Sequence, residues 1–439
     1  MSSGSFNPFR ALLSTGPRWN SCSASAAAGL SSPSLNQGKF IRATIESVLS
    51  QDYPNVEYIV MDGGSTDETA SVVKDYASRL TFISEKDRGQ SHAINKGFRM
   101  ARGSILAWLN SDDVYLPGAI RKGVEGFSLD PAPGAVYGEG YLIDREGTVT
   151  CRFPHTIPVN LWRLTYVSDY ILQQSVYFRK DVLDEVGYLN EDLHYSMDWE
   201  ILIRIGKKHP LGYIPEYMGC LREYAEAKSS SGGARRVREI RDMLRSHTDR
   251  WLPPGYIIYG LGTHHEIWCE RIQRGAVLRP IAGKLQSLVK TAAGMIICHA
   301  DRDSQGLYTD GWAAPVLRYM LYPGSGPLIV EGTVPDWGKA FRGQKLSIIA
   351  NGRRVGKFPL PAGDFNLQVE LPPDLSGELL HLRIKASRWI VPGRFTLHGD
   401  HRRLAYLFKG IRWLRESERE PNPGASDSQQ RIVLGAAAR

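Results

Sequence analysis

The chain reads as an α/β protein with an all-β unit attached: a mostly parallel sheet between helices, then basic helices, then a β-sandwich. Three observations predict this. Between Pro33 and about Gly219, short apolar runs alternate with amphipathic segments, the βαβ rhythm of a parallel sheet. From about Leu307 the period drops to two: Phe365, Leu367, Val369 and Leu371, then Leu380, Leu382, Ile384 and Ala386, alternate with polar residues. Finally, 439 residues are too many for one compact core.

The elements follow in order. Residues 1–32 are rich in Ser, Ala and Gly, and the first acidic residue is Glu46. This Arg-containing, acid-poor segment superficially resembles a transit peptide, but the preferred expectation is a disordered or wrongly started N-terminus. Ala26–Ser32 is too small and polar for a good strand. Lys39–Ser50 is predicted helical, with Phe40, Ile41, Thr44, Ile45, Val48 and Leu49 on one face. Val56–Met61 is a strand, and Ser65-Thr-Asp-Glu68 has the spacing of a capping box opening a helix to Ala77. Leu80–Ser84 is a strand, Ser91–Ala101 a helix stopped by Gly103, and Ile105–Leu109 a short buried strand. Pro117 suits the first turn of the next helix, and Asp198 opens the amphipathic helix Trp199–Lys207. Residues 230–303 read as basic helices broken by Pro253-Pro254. The sandwich is placed at 304–400, with Asn351-Gly352 as a hairpin signal. Its aromatics Tyr308, Trp312 and Trp389 either meet glycan or pack, packing being favoured. Residues 401–439 are a C-terminal segment ending in a disordered polar tail.

Composition narrows the class. With 42% apolar and 23% charged residues, the chain resembles an ordinary soluble globular protein, and no apolar run approaches the roughly 20 residues of a membrane span. The cysteines (Cys22, Cys151, Cys220, Cys269, Cys298) are odd in number and lack CxxC spacing. That argues against a disulfide framework or structural zinc and suits a reducing compartment. The net charge of +8 is uneven, since eleven Lys and Arg face five Asp and Glu between Gly232 and Ala300. A basic excess attracts nucleic acid, acidic lipid or a phosphorylated substrate.

Chemistry gathers where strands end. Ile105–Leu109 runs into Asn110, Ser111, Asp112 and Asp113, and open α/β sheets bind ligands at the carboxyl ends of their strands. Paired carboxylates there ask for a cation, and hard oxygens with room for water and phosphate suit Mg²⁺ or Mn²⁺ rather than zinc. Asp62 ends the second strand, where a carboxylate can accept hydrogen bonds from a base or ribose while Gly63-Gly64 lets backbone approach. Asp198 stands at a helix N-terminus, which is also the place of a simple cap. Gln173 and Gln174 are either acceptor contacts or structural; Trp108, Trp162 and Trp199 stack on sugar or, more commonly for such residues, fill the core. GxGxxG at the first strand–helix turn and GxxxxGK[ST] are both missing, which excludes a dehydrogenase and a P-loop phosphotransferase.

Five motifs in order carry a resemblance: Pro33-Ser-Leu-Asn-Gln-Gly38, Val60-Met-Asp-Gly-Gly-Ser-Thr-Asp67, Ser84-Glu-Lys-Asp-Arg-Gly-Gln-Ser-His-Ala-Ile-Asn-Lys-Gly97, Asn110-Ser-Asp-Asp-Val-Tyr-Leu-Pro117 and Ser196-Met-Asp-Trp-Glu200. Together they resemble the family 2 glycosyltransferases of the GT-A fold over residues 33–229. The resemblance implies a nucleotide-sugar site made by Pro33, Ser34, Asn36, Asp62, Gly63, Gly89, Gln90, Asn95, Lys96, Asn110 and Asp112. Within it, Asp62 reads the base, and Asp112 with Asp113 forms a DxD-type site holding Mg²⁺ or Mn²⁺ on the diphosphate. Asp198 matches the acid of the family's ED motif, the catalytic base.

One base and no carboxylate nucleophile implies direct displacement with inversion. The implied activity is a metal-dependent hexosyltransferase in cell-surface polysaccharide synthesis. Its donor would be a UDP-, GDP- or dTDP-sugar and its acceptor a glycan or lipid-linked sugar, with no nucleic-acid partner. A cytoplasmic location is expected. The basic stretch 232–300 either lies on the anionic inner face of the cell membrane or is a solvated linker. Three departures stand out: the poor first strand, Met197 in place of an acid before Asp198, and Tyr224 where the family often has a metal-assisting histidine. The alternatives are a degenerate sugar-binding protein, supported by the weak first strand, and a sugar nucleotidyltransferase, whose Gly-rich, Arg-containing opening loop is not found.

Overall fold

The computed structural model describes residues 26–261 apart from 130 and 229–231, residues 305–392 apart from 309–310, 323, 325, 337–339 and 376–378, and residues 263, 402–414 and 431–434. No helix among them is long and apolar enough to cross a membrane.

The α/β half begins with β1 (Ala28–Ser34), α1 (Gly38–Leu49), β2 (Val56–Asp62), α2 (Thr69–Lys74), β3 (Thr81–Ser84), α3 (Gln90–Met100) and β4 (Ile105–Trp108). Its four strands run parallel in the order β3-β2-β1-β4. There follow β5 (Val114–Tyr115), α4 (Ala119–Glu125), β6 (Ala135–Ile143), β7 (Val149–Arg152), α5 (Leu161–Tyr166), β8 (Tyr177–Arg179), α6 (Lys180–Val186), α7 (Met197–Lys208) and β9 (Leu211–Arg222). β8 pairs antiparallel with β4 and carries the sheet on through β6, β9 and β5. The result is the mixed α/β sheet that a GT-A resemblance implies.

Composition misleads most at β1. Ala26–Ser32 was expected to be a poor strand in a disordered or wrongly started N-terminus, yet Ala28–Ser34 is the strand between β2 and β4 and is buried throughout. What a strand packs against outweighs its intrinsic propensity. Leu30 joins Ile41, Ile45 and Val48 of α1 in one apolar cluster. On the opposite face α3 comes so close that a Cβ on Gly97 would lie 2.2 Å from Ser31 Oγ, and one on Gly29 would lie 2.6 Å from Ala101 Cβ. Larger side chains do not fit beneath α3. Residues 1–25 lie outside the described residues.

Two helix starts also differ. α2 begins at Thr69 with no side-chain cap, because the Ser65 hydroxyl is engaged with Asp62 and with the Asn36 N–H. The capping box therefore does not form. α4 begins at Ala119 after Gly118, which holds a φ of 75°, two residues beyond Pro117.

Beyond β9 the basic segment supplies α8 (Gly233–His247). Its Ile240, Met243 and Leu244 are buried in the same cluster as Leu164 of α5 and Leu202 of α7. It is thus a wall of the α/β body rather than a linker. Most of the remaining expected basic helix, residues 264–304, lies outside the described residues.

The all-β part comprises β10 (Trp312–Ala313), β11 (Val316–Leu321), β12 (Leu328–Val334), β13 (Lys345–Ala350), β14 (Arg353–Pro359), β15 (Gly363–Val369), β16 (Leu380–Ala386), β17 (Tyr406–Trp413) and β18 (Arg431–Leu434). They form one sheet in the order β10-β17-β12-β15-β18 and another in the order β11-β16-β13-β14. Alternate residues such as Leu328, Val330, Leu346, Ile348, Leu367 and Leu382 meet in one core, the expected sandwich. Asn351 and Gly352 take φ of 47° and 80° and join β13 to β14, as the dipeptide predicts. The sandwich does not end at 400, because β17 pairs with β12. It also grips the α/β body: Met320 belongs to that body's core, the Leu211 N–H donates to Tyr322 Oη at 3.2 Å, and Asn160 and Gln305 exchange two amide hydrogen bonds. Of the exposed aromatic candidates, Tyr308 is buried while Trp389 is exposed.

Gly97 tests the packing of α3 on β1. Alanine raises helix propensity by about 1 kcal/mol, but its Cβ would meet Ser31 on an interior strand that cannot yield, and overpacking costs about 1–3 kcal/mol. Gly97→Ala is therefore expected to lower unfolding free energy in urea. A variant as stable as the parent would show that α3 does not pack this closely.

Candidate active site

The turn after β1, the turn after β4 and the first turn of α7 open on a common cleft of about 760 Å³. Of the residues implied to bind a nucleotide-sugar, it is lined by Pro33, Ser34, Gly89, Gln90, Asn110 and Asp112, together with Asp113 and Asp198. The Ser34 hydroxyl and Gln174 Oε1 are buried there without a hydrogen-bond partner among the described residues, which is how a wall made for a polar ligand looks.

Asp113 organises the floor. Its Oδ1 accepts the Arg222 N–H at 2.8 Å, and its Oδ2 accepts Gln174 Nε2 at 2.6 Å and Asn110 Nδ2 at 3.0 Å. Burial, with the neighbouring Asp112 carboxylate, raises its pKa to about 8 despite the pull of these N–H donors. Asn110 Oδ1 in turn accepts Gln90 Nε2, and Gln90 Oε1 accepts Lys228 Nζ at 2.6 Å.

Asp112 is half-buried, and its Oδ2 accepts the Tyr224 hydroxyl at 2.7 Å. Burial raises its pKa, opposed by Tyr224 and Arg222. Tyr224 is itself pushed well above its usual value by burial and by Asp112, so it stays a phenol that donates. Its ring packs on Phe40 at 5.1 Å beneath the Arg145 guanidinium.

The expected ligand pair thus divides. Asp113 has both oxygens saturated by N–H groups, whereas Asp112 Oδ1 accepts nothing from the described side chains. No group of three His, Cys, Asp or Glu meets among the described residues. One carboxylate still fits Mg²⁺ or Mn²⁺, which keep several waters and lean on substrate phosphates.

Asn36, Asp62, Gly63, Asn95 and Lys96 do not line the cleft. Asp62 is buried and accepts hydrogen bonds from the Ser65 N–H and from the Ser65 and Ser84 hydroxyls, which hold the loop after β2. Asn36, at a φ of 53°, accepts the Thr66 N–H. Asn95 is buried between Leu189 and Glu191, and Lys96 pairs with Glu85. Gln173 donates to the Trp108 carbonyl, and Trp108, Trp162 and Trp199 are core.

At the other end of the cleft, Asp198 Oδ1 accepts the Trp199 N–H at 2.8 Å. Burial raises its pKa, opposed by that N–H, Arg236 and Lys228. The segment before it is clamped by Glu239 of α8, which accepts the N–H groups of His194, Tyr195 and Ser196 and the Ser196 hydroxyl. Asp169, Lys228, Arg236 and Tyr259 line the same end. Burial brings Lys228 down to about 8 against the pull of Asp198 and Glu239.

Residues 32–179 match the family model described as glycosyl transferase family 2. Over this segment the α/β body is similar to the family 2 glycosyltransferases. The chain is 28% identical over 190 residues to an uncharacterized glycosyltransferase of Rickettsia felis, covering 41% of this chain and 31% of that protein. It is 29% identical over 185 residues to chondroitin synthase of Escherichia coli, covering 42% of this chain and 27% of the synthase. Among solved structures, S. aureus TarS 1-349 in complex with UDP-GlcNAc aligns with a TM-score of 0.42 and 14% identity, covering 63% of this chain and 90% of TarS 1-349.

Several residues that line the cleft have no signal of their own in the sequence. Asp87 lies within a quoted motif; it lines the cleft and accepts the Gly89 N–H at 2.8 Å. Asp169 and Arg236 carry no local motif and reach the cleft only through tertiary folding.

Asp113→Asn tests the floor. Above about pH 8, where Asp113 is ionised, it replaces a pure acceptor by a group with an NH₂, so at least one of the Arg222, Gln174 and Asn110 donors faces another donor. An unsatisfied buried group costs about 1–3 kcal/mol, and a drop of that size in unfolding free energy is expected. An unchanged denaturation midpoint would refute this account of the floor.

Proposed function

We propose that the protein transfers a hexosyl group from a nucleotide-sugar to a glycan or lipid-linked acceptor, with inversion at the anomeric carbon, in cell-surface polysaccharide synthesis. The observation that carries this reading is that Asp112, from the turn after β4, and Asp198, from α7, face one cleft in a body similar to the family 2 glycosyltransferases. Ser34, Gly89, Gln90 and Asn110 take the donor, and Asp112 holds Mg²⁺ or Mn²⁺ against its diphosphate. That ion supplies positive charge to balance what grows on the leaving diphosphate.

Asp198 then removes the acceptor hydroxyl's proton as the oxygen bonds to the anomeric carbon. The bond from that carbon to the diphosphate breaks on the opposite face, and its electron pair leaves with the diphosphate. A single base at Asp198 implies direct displacement with inversion. Product stereochemistry decides this point, since retention would require a carboxylate nucleophile. The degenerate sugar-binding alternative loses its best support, because β1 is a well-packed strand in the middle of the sheet.

The acceptor side is read as facing an anionic membrane surface on the cytoplasmic side. Trp251 and Leu252 are 73% and 42% exposed just beyond α8 and follow Arg250 in the chain, with Arg245 exposed in the last turn of α8. Apolar side chains among arginines suit a lipid interface.

Three measurements test the proposal. With UDP-, GDP- and dTDP-sugars in turn, one donor is expected to release nucleoside diphosphate in Mn²⁺ and to stop in EDTA; turnover of none sinks the transferase reading. Asp198→Asn keeps size and capping while removing basicity, so transfer is expected to fall roughly 10²–10⁴-fold with donor affinity retained. Near-parental turnover would place the base elsewhere. The full chain is expected to co-sediment with phosphatidylserine vesicles at low salt and less so after Trp251→Ser; failure to bind at any salt removes the membrane partner.

A further inference from the structure

We propose that the outward face of the β11-β16-β13-β14 sheet docks an anionic glycan chain, which makes the acceptor an acidic polymer. The docking surface follows from charge and register, and its link to the acceptor rests on the transferase reading above.

The two sheets of the sandwich treat charge differently. In the sheet built on β12, β15 and β17, the acids are neutralised: Asp364 pairs with Lys409 at 2.8 Å and Glu331 with Arg412 at 3.1 Å. β11, β13, β14 and β16 contain no Asp or Glu, and every ionisable side chain on them except Tyr319 is Lys, Arg or His. Arg353 pairs with Asp374 at 2.7 Å. Lys345, Arg354, Lys357, Arg383 and Lys385 are exposed and have no ion pair among the described residues. Like charges set side by side on a sheet repel, so a face that keeps them is stabilised when an anion arrives.

Strand register places these bases together. Leu346, Ile348, Ala350, Leu382 and Ile384 point into the core of the sandwich, so the residues between them point out. Lys385, Ser347 and Lys357 stand abreast on three adjacent strands, and Arg383, Ile349 and Arg354 form the next row, with Arg318 beside Arg383. Adjacent strands lie about 4.8 Å apart, so the bases flanking Ser347 or Ile349 are about 10 Å apart and successive rows about 7 Å. A pyranose unit is close to one strand spacing in length, so a glycan laid across the strands brings every second sugar to a base. Between the bases stand Ser347 and the partly covered Ile349, not an apolar ridge of the kind that enters lipid.

Two neighbours fit the same occupant. The Ser387 N–H donates to the Lys345 carbonyl at 2.9 Å, and Trp389, two residues on, is exposed; an indole beside bases suits the apolar face of a sugar ring. Met320, one step along β11 from Arg318, lies in the core of the α/β body. The basic face therefore begins where the catalytic body ends.

The test is fluorescence polarisation of a labelled polygalacturonate oligosaccharide with the full chain. Binding is expected at low salt, weakening as salt rises. Arg354→Gln, Lys357→Gln, Arg383→Gln and Lys385→Gln combined are expected to weaken it at least about tenfold. Lys74→Gln, Arg235→Gln, Arg238→Gln and Arg245→Gln combined remove the same charge elsewhere and are expected to change it by no more than about twofold. Equal losses in the two variants, or competition by neutral dextran as strong as by unlabelled polygalacturonate, overturn the proposal. Should the first variant not fold, Arg383→Gln with Lys385→Gln decides, at least about a threefold loss being expected and an unchanged affinity overturning it. A face variant that loses more affinity for phosphatidylserine vesicles or oligo(dT) than for polygalacturonate assigns the surface to lipid or nucleic acid and also overturns it. If the face variant loses glycan binding while the parent releases nucleoside diphosphate from none of UDP-glucose, UDP-N-acetylglucosamine or GDP-mannose, the transferase reading fails and the docking surface stands. Turnover with polygalacturonate affinity unchanged in the face variant is the reverse result.

Discussion

A carboxylate sealed away from water has to be satisfied from within, and Asp113 is satisfied by three parts of the chain at once. Asn110 belongs to its own turn, Gln174 to the turn before β8, and Arg222 to the end of β9. Tying these segments to one buried carboxyl group sets the mutual position of the strand ends where the cleft opens. It also decides which way the next carboxylate faces: with Asp113 turned inward, Asp112 is left toward the cavity and Tyr224. Adjacent acids that look interchangeable in sequence thus differ in surroundings, one an internal anchor and one turned toward the cavity.

Much of the fold is legible in sequence because it is local. The alternation of β15 and β16, the Asn351-Gly352 turn and the βαβ order from α1 to β4 follow from periodicity and turn chemistry over a few residues. The strand that misled, β1, is small-residue not because it is weak but because α3 lies on it, a fact written in Gly97 far along the chain. Ser65 shows the same limit, since spacing offered it as a helix cap and Asp62 claimed its hydroxyl first.

The site is legible in its motifs and opaque elsewhere. Asp112 and Asp198 are marked by the residues around them. Asp62 was marked too, and its motif is about loop shape as much as about ligand contact. Asp169 and Arg236 have ordinary neighbours, and Lys228 matters through Gln90, 138 residues earlier in the chain. Side chains recruited by tertiary contact leave no local trace, because nothing in their own neighbourhood has to change to accommodate them.

Glu239 gives this a wider meaning. It accepts N–H groups from three successive residues just before α7, yet it lies sixty residues beyond the segment that matches the family. The recognisable module and the working module are therefore different lengths of chain. A gene fusion or recombination event that moved only residues 32–179 would carry over the turns after β1 and β4 and leave behind both α7 and the brace before it. Selection on the cleft consequently reaches into a helix that lies outside the family match.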